Sequence, residues 1–159
     1  MKKLLLIRHA KATHEPGYID FERPLTNKGF EQCETMTARL IKNNIKPQLL
    51  VSSPALRTLS TANVFSQELG LATATTYPDI YDASENTLLK VISNLPNEYD
   101  FIALVGHNPG ISQVLYALSN EPKEMSTCAV ALIEFEADSW MELQEGAGKL
   151  TLFDSPKED

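Results

Sequence analysis

Lys3-Leu4-Leu5-Leu6-Ile7 runs straight into Arg8-His9 at the start of the chain. Phe101-Ile102-Ala103-Leu104-Val105-Gly106 runs in the same way into His107. Between them, Leu49-Leu50-Val51-Ser52-Ser53-Pro54 leads to Arg57. Each run is short, apolar and rich in Leu, Ile or Val, and each is followed by a segment of helical periodicity. Strands of a parallel sheet, covered on both faces, carry this continuous apolar pattern rather than an alternating one. Ligands of such sheets collect outside the carboxyl ends of the strands. Two histidines and two arginines, distant in sequence, are therefore expected at one sheet edge.

The intervening segments supply the helices. Phe30, Cys33, Met36, Thr37, Leu40 and Ile41 recur at helical spacing, with Thr26 as the cap and Asn43-Asn44 at the end. Ser53-Pro54 reads as the start of a second helix, with Leu56, Leu59, Ala62, Phe65 and Leu69 inward and Gly70 just past its end. A short strand is expected over 73–77. A third helix is expected after Ser84, with Leu88, Val91, Ile92 and Leu95 inward and Pro96 closing it. A fourth opens at Asn108-Pro109-Gly110, with Ile111, Val114, Leu115 and Leu118 inward. From Cys128 the pattern changes. The runs 129–135, 140–143 and 149–153 read as antiparallel strands separated by turns at Asp138-Ser139 and Gly146-Ala147-Gly148. The tail 155–159 reads as frayed. The expected fold is a single α/β domain over 1–159, a three-layer α/β/α sandwich with a mostly parallel, mixed central sheet.

Composition narrows the function. The chain has 159 residues, 43% of them hydrophobic, which suits one domain with a sizeable core. With 14 basic and 21 acidic residues, its formal net charge is -7, a poor match to nucleic acid or an anionic membrane. A basic spot must then be local, and Arg8, Arg57 and Arg23 are its candidates. Cys33 and Cys128 form neither a CxxC pair nor a zinc-spaced cluster and read as buried free thiols. Only four apolar residues follow Met1-Lys2-Lys3, too few for a signal peptide, and no stretch approaches the roughly 18 apolar residues of a membrane span. Cytoplasmic residence is the expectation, and nothing in the sequence demands more than a monomer.

The residues that could carry chemistry point to phosphoryl transfer. A neutral imidazole at His9 can attack phosphorus, splitting one hard displacement into two easier ones. Positioning and charge neutralisation do most of the work on a loose phosphoryl transition state. Arginine forks at Arg8 and Arg57 suit that task, because they are always charged and bind phosphate bidentately. His107 adds a further donor. Asn108-Pro109-Gly110 offers a helix N-terminus, with its backbone N–H groups. Lys11 and Arg23 sit in a polar loop that could rim the site. His14, in the same loop, has no matching partner and reads as solvent-exposed.

Taken together, these motifs resemble the histidine phosphatase superfamily, with its phosphoglycerate-mutase-like fold. Leu6-Ile7-Arg8-His9-Ala10 resembles the family's Arg-His signature. Arg23-Pro24-Leu25-Thr26-Asn27-Lys28-Gly29 resembles its first helix start. Val51-Ser52-Ser53-Pro54-Ala55-Leu56-Arg57-Thr58 with Ser60-Thr61-Ala62, and Leu104-Val105-Gly106-His107-Asn108-Pro109, resemble two further elements. The likeness runs in order from Lys3 to at least Leu118. Arg-His-Ala-Lys, Gly-His-Asn-Pro and Leu150-Thr151-Leu152-Phe153 look most like the SixA-type phosphohistidine phosphatases. The resemblance implies His9 as nucleophile and Arg8, Arg57 and His107 as the phosphate pocket. Arg23 and Asn108 are read as candidates for further phosphate or substrate contacts, and the resemblance implies no metal or cofactor.

One element of the wider family has no clear counterpart. Its larger members carry an acid, usually Glu, after the third strand, which protonates the leaving oxygen. Here the region is Pro78-Asp79-Ile80-Tyr81-Asp82-Ala83-Ser84-Glu85, and Asp82 and Glu85 are the candidates. Glu85 also suits a helix start, where the dipole favours an acid. A weak acid favours an activated phosphate such as protein-borne phosphohistidine, whose leaving nitrogen needs less help than an alkoxide. A short insertion leaves little material for a lid and admits such a bulky substrate. The rival expectations are a phosphatase of small phosphate esters and a non-catalytic phosphate-binding module.

Overall fold

The structure is a computed structural model and describes residues 1–156. It contains a six-stranded sheet and four α-helices. In chain order these are β1 (Lys2–Arg8), α1 (Asn27–Lys42), β2 (Leu49–Ser52), α2 (Leu56–Leu69), β3 (Thr75–Thr76) and α3 (Glu85–Ser93). Then come β4 (Phe101–Gly106), α4 (Gly110–Ser119), β5 (Val130–Phe135) and β6 (Lys149–Asp154). The strand order is β3-β2-β4-β1-β5-β6. The pairs β1/β4, β2/β4 and β2/β3 are parallel, while β1/β5 and β5/β6 are antiparallel. The mixed, mostly parallel sheet of the expected three-layer sandwich is therefore present.

Alternation along the strands builds two cores. Leu4 and Leu6 of β1 join Leu88, Ile92, Val114 and Leu115 of α3 and α4 on one face. Leu5 and Ile7 join Cys33, Met36, Ala62 and Phe65 of α1 and α2 on the other. Successive strand side chains point to opposite faces, so an unbroken apolar run feeds both layers. The helix caps follow the sequence where short polar side chains are free to turn back. Thr26 Oγ1 accepts the Gly29 N–H, Ser84 Oγ accepts the Thr87 N–H, and Gly70 ends α2 in the left-handed region at φ 69°.

Several expectations are corrected. The helix α2 starts at Leu56, after Ala55, and Ser53 is not its cap, because the Ser53 hydroxyl turns toward His107. Leu56 is consequently 41% exposed, and Phe30 and Ile41 also face out of the apolar stripe assigned to them. The run 140–143 is not a strand. It forms a 3-10 turn, Trp140–Glu142, in which Trp140 is fully buried. Its ring N–H donates to Tyr99 O, and its backbone N–H to Asn97 Oδ1, so the indole plugs one end of the core rather than pairing with a neighbour. The third strand shrinks to Thr75–Thr76. Ser155 is tied down, with its carbonyl accepting from Arg39 Nη1, and Pro156 follows in a turn; residues 157–159 of the expected frayed segment lie outside the described residues. Among the described residues no helix is long and apolar enough to cross a membrane.

Register delivers the site. Arg8 pairs with Gly106, and Ser52 with Val105, so β1, β2 and β4 end at one edge. Ladder bonds continue one residue further, from His9 N–H to Gly106 O and from Ser53 N–H to Val105 O. His9, Ser53 and His107 thus leave the sheet side by side.

Candidate active site

At this edge lies a cleft of about 650 Å³, lined by Arg8, His9, Arg57, His107, Asp20 and Asp82 among others. The four residues singled out from sequence meet here, with His9 and His107 ring centroids 5.5 Å apart. His9, Arg57 and His107 are at most 7% exposed.

The tautomer of His9 follows from a single bond. Its Nδ1 lies 2.8 Å from Ala10 O. A carbonyl can only accept, so Nδ1 carries the proton and Nε2 keeps its lone pair. Burial pushes the His9 pKa down to about 4, and the positive charges of Arg57, Arg8 and Arg23 push in the same direction. At neutral pH the ring is an uncharged base, as an attacking nitrogen must be. The backbone beside it is fixed, since Ala10 N–H donates to Thr61 Oγ1, which itself donates to Arg57 O. This links the His9 loop to the first turns of α2.

His107 is oriented by Ser53. Its Nε2 sits 2.8 Å from Ser53 Oγ, which also accepts the Ala55 N–H. The other ring nitrogen, Nδ1, is buried and has no partner. Burial, then the charge of Arg57, lowers the His107 pKa to about 3. Arg8 Nε and Arg57 Nε are likewise buried and unpartnered. Three buried nitrogens without a partner thus belong to residues that line one cleft, and an anion is the kind of ligand that would satisfy such groups. The same charges that keep the histidines neutral attract that anion.

The other residues assigned from sequence fall as follows. Arg23 lines the cleft, and its Nε donates to Asp20 Oδ1 while Nη1 contacts Thr13 O and His14 Nδ1. His14 is exposed as expected, yet it lines the cleft and has Arg23 as a partner. Lys11 is at the rim. Asn108 lines the cleft, but its amide holds Met125 O, Glu124 and Ser112 Oγ, tying the start of α4 to the 124–125 loop. Asp82 lines the cleft with φ 50°, an uncommon conformation for a residue with a side chain. Glu85 opens α3 and is not among the cleft residues. Gly110 permits this layout. A Cβ there would overlap the carbonyl of Ala83, next to Asp82.

Sequence reasoning passed over Asp20, Ser53 as an orienting group, and Gln32 with Thr127. Asp20 belongs to a 3-10 turn, Asp20–Glu22, in a loop without periodicity, so no pattern marks it. Ser53 carried a signal, a hydroxyl directly after a buried strand, that a helix cap explained equally well. Among the described residues no cluster of His, Cys, Asp and Glu fits a metal ion.

Comparison with known proteins agrees with this geometry. The sequence model of the histidine phosphatase superfamily (branch 1) matches residues 4–84. The structure is similar to that of a protein from Agrobacterium tumefaciens described as the putative phosphohistidine phosphatase SixA, with a TM-score of 0.84 and 26% identity over 98% of each chain. It shares the fold of the protein histidine phosphatase SixA complexed with tungstate, at a TM-score of 0.83 and 21% identity over 97% of each chain. An uncharacterized chloroplastic protein of Arabidopsis thaliana is 27% identical over 152 residues, 89% of this chain and 70% of that protein.

Proposed function

The chain belongs to the histidine phosphatase superfamily, and from that premise we propose that it is a metal-independent phosphatase acting through phospho-His9, with protein-borne phosphohistidine as its substrate. The observation that carries this reading is the neutral His9 Nε2 in a cleft lined also by Arg8, Arg57 and His107, each with an unpartnered buried nitrogen. In the first step Nε2 attacks phosphorus and the bond to the leaving nitrogen breaks; a substrate imidazole already protonated on its other ring nitrogen departs as neutral imidazole and takes no proton from the enzyme. In the second, water attacks the phosphoryl group on His9, releasing orthophosphate and restoring the free imidazole. Arg8 and Arg57 neutralise the phosphoryl oxygens throughout, and His107 adds a further hydrogen-bond donor. An imidazole leaves far more readily than an alkoxide, so this substrate places little demand on a general acid. One of the two similar SixA structures is described as a protein histidine phosphatase and the other as a putative phosphohistidine phosphatase, and that likeness supports the choice.

A second reading, hydrolysis of small phosphate esters, is favoured by one observation. Asp82 lines the cleft in a left-handed conformation, where it can serve as an acid. Turnover of a phosphohistidine peptide and of sugar and glycerate phosphates, with a chelator present, separates the two. The P–N substrate is expected to be hydrolysed rapidly and the esters slowly. Asp82→Asn is expected to leave P–N turnover within about threefold. A loss of ester hydrolysis on the order of 100-fold in that variant, the usual size of a general-acid contribution, together with an ester preference, would install the second reading instead. Inactivity on both substrate types would leave a binding module.

A further inference from the structure

Arg57 is already engaged with an anion, one built into the chain. Its Nη1 donates to Asp20 O at 2.7 Å and its Nη2 to Asp20 Oδ2 at 3.0 Å. Both terminal nitrogens thus meet a single residue, while Nε stays unpartnered. The same Oδ2 accepts from Tyr81 O–H at 2.7 Å, and Oδ1 accepts from Arg23 Nε at 3.2 Å. Tyr81 stacks edge-on to His107, with centroids 5.6 Å apart, so this network borders the histidine pair. Asp20 lies in the cleft lining, and its side chain is 56% exposed. It is the surface partner of a buried arginine, and a change in it leaves the core untouched.

We propose that Asp20 is a positioning residue that shares Arg57 with the phosphoryl group, fixing the plane of the guanidinium and weakening its hold on the orthophosphate product. The inference rests on the reading that this cleft binds phosphoryl groups. A bidentate grip from a backbone carbonyl and a carboxylate of one residue sets the orientation of a planar fork. The remaining hydrogens of that fork stay available to an incoming anion. The carboxylate charge, however, opposes that anion. Two anions on one guanidinium each bind less tightly than either alone, which favours product release from a pocket otherwise rich in cations. Asp20 is not a proton donor in this scheme. Tyr81, Arg57 and Arg23 hold its carboxyl down to about 2, so it is ionised wherever the enzyme works.

The test uses the full chain, with orthophosphate binding followed by calorimetry and kcat and KM measured on a phosphoramidate. Asp20→Asn removes the charge and keeps a hydrogen-bonding side chain. It is expected to bind orthophosphate about fivefold tighter, the effect of removing one partly screened like charge at contact range, and to show a lower kcat. Asp20→Glu keeps the charge and is expected to retain wild-type phosphate affinity. A purely structural support for Arg57 predicts the opposite sign, weaker phosphate binding in Asp20→Asn. Weaker or unchanged binding in that variant overturns the proposal. Should Asp20→Asn not fold, Asp20→Ser is read in the same way. Failure of wild-type protein to bind orthophosphate would overturn the proposal and the phosphatase reading together, whereas wild-type binding with no change in the variant overturns the proposal alone.

Discussion

His9→Ala is expected to lower turnover of a phosphohistidine substrate by at least about 10³-fold, in line with the loss of a nucleophile that works as one unit with its neighbours. The reason is geometric. Nε2 is the atom whose lone pair is kept free, because Nδ1 is committed to Ala10 O. No nearby group replaces it. His107 has its Nε2 held by Ser53 and its Nδ1 buried. Orthophosphate binding is expected to persist in the variant, since Arg8, Arg57 and His107 remain. Brief reaction with a labelled phosphoramidate is expected to leave an acid-labile, alkali-stable label on wild-type protein and none on His9→Ala. A variant that keeps more than about a tenth of wild-type turnover, well above the residual rate expected without a nucleophile, would show that water attacks the substrate directly.

The parts of this site legible in the sequence were those that follow buried strands. Lys2–Arg8 and Phe101–Gly106 are apolar on both faces, so their ends, and the polar residues just beyond, could be placed without knowing any contact. Register then brought His9 and His107 together, as the edge rule for parallel sheets requires. Asp20 was illegible because it is positioned by a tertiary bond. Nothing local distinguishes it from Glu15 or Glu22 in the same polar loop until Arg57 of α2 reaches it. The 140–143 run failed for a different reason. Trp140 and Leu143 answer the need to close the core, not a strand period, while Met141 faces out, and short apolar runs do not separate these causes. Asp82 and Glu85, equivalent as letters, parted once the left-handed turn at Asp82 aimed that loop at the cleft and the helix α3 carried Glu85 away.

The histidine pair also predicts how the fold responds to acid. In the unfolded chain both imidazoles titrate near the ordinary ~6.5. In the fold His9 is lowered to about 4 and His107 to about 3. Between those limits the unfolded chain binds more protons than the native one, so stability rises with pH in that window. The stability tied to neutral histidine is fully present above about pH 6.5, is lost as pH falls below it, and levels off only once the folded pKa values are passed. Each proton is worth about 1.4 kcal/mol per pH unit. At pH 5 the two together then cost roughly 4 kcal/mol, an upper figure because both shifts share the charge of Arg57. A loss of that size matters against a typical total of about 5–15 kcal/mol. Asp20 acts in a lower window. Its carboxyl, held down to about 2, contributes stability that is present above the ordinary carboxylate range and disappears only in stronger acid. Urea midpoints between pH 7.5 and 5 therefore isolate the histidines. A steep fall is expected for wild type and a nearly flat line for the His9→Ala, His107→Ala double variant. Saturating orthophosphate is expected to flatten the wild-type curve as well, because a bound anion stabilises the protonated rings and removes the difference that drives the loss. Equal slopes in wild type and the double variant would mean that these two imidazoles are not the groups held neutral by the fold, and the assignment of His9 Nε2 as a free base at neutral pH would lose its electrostatic support.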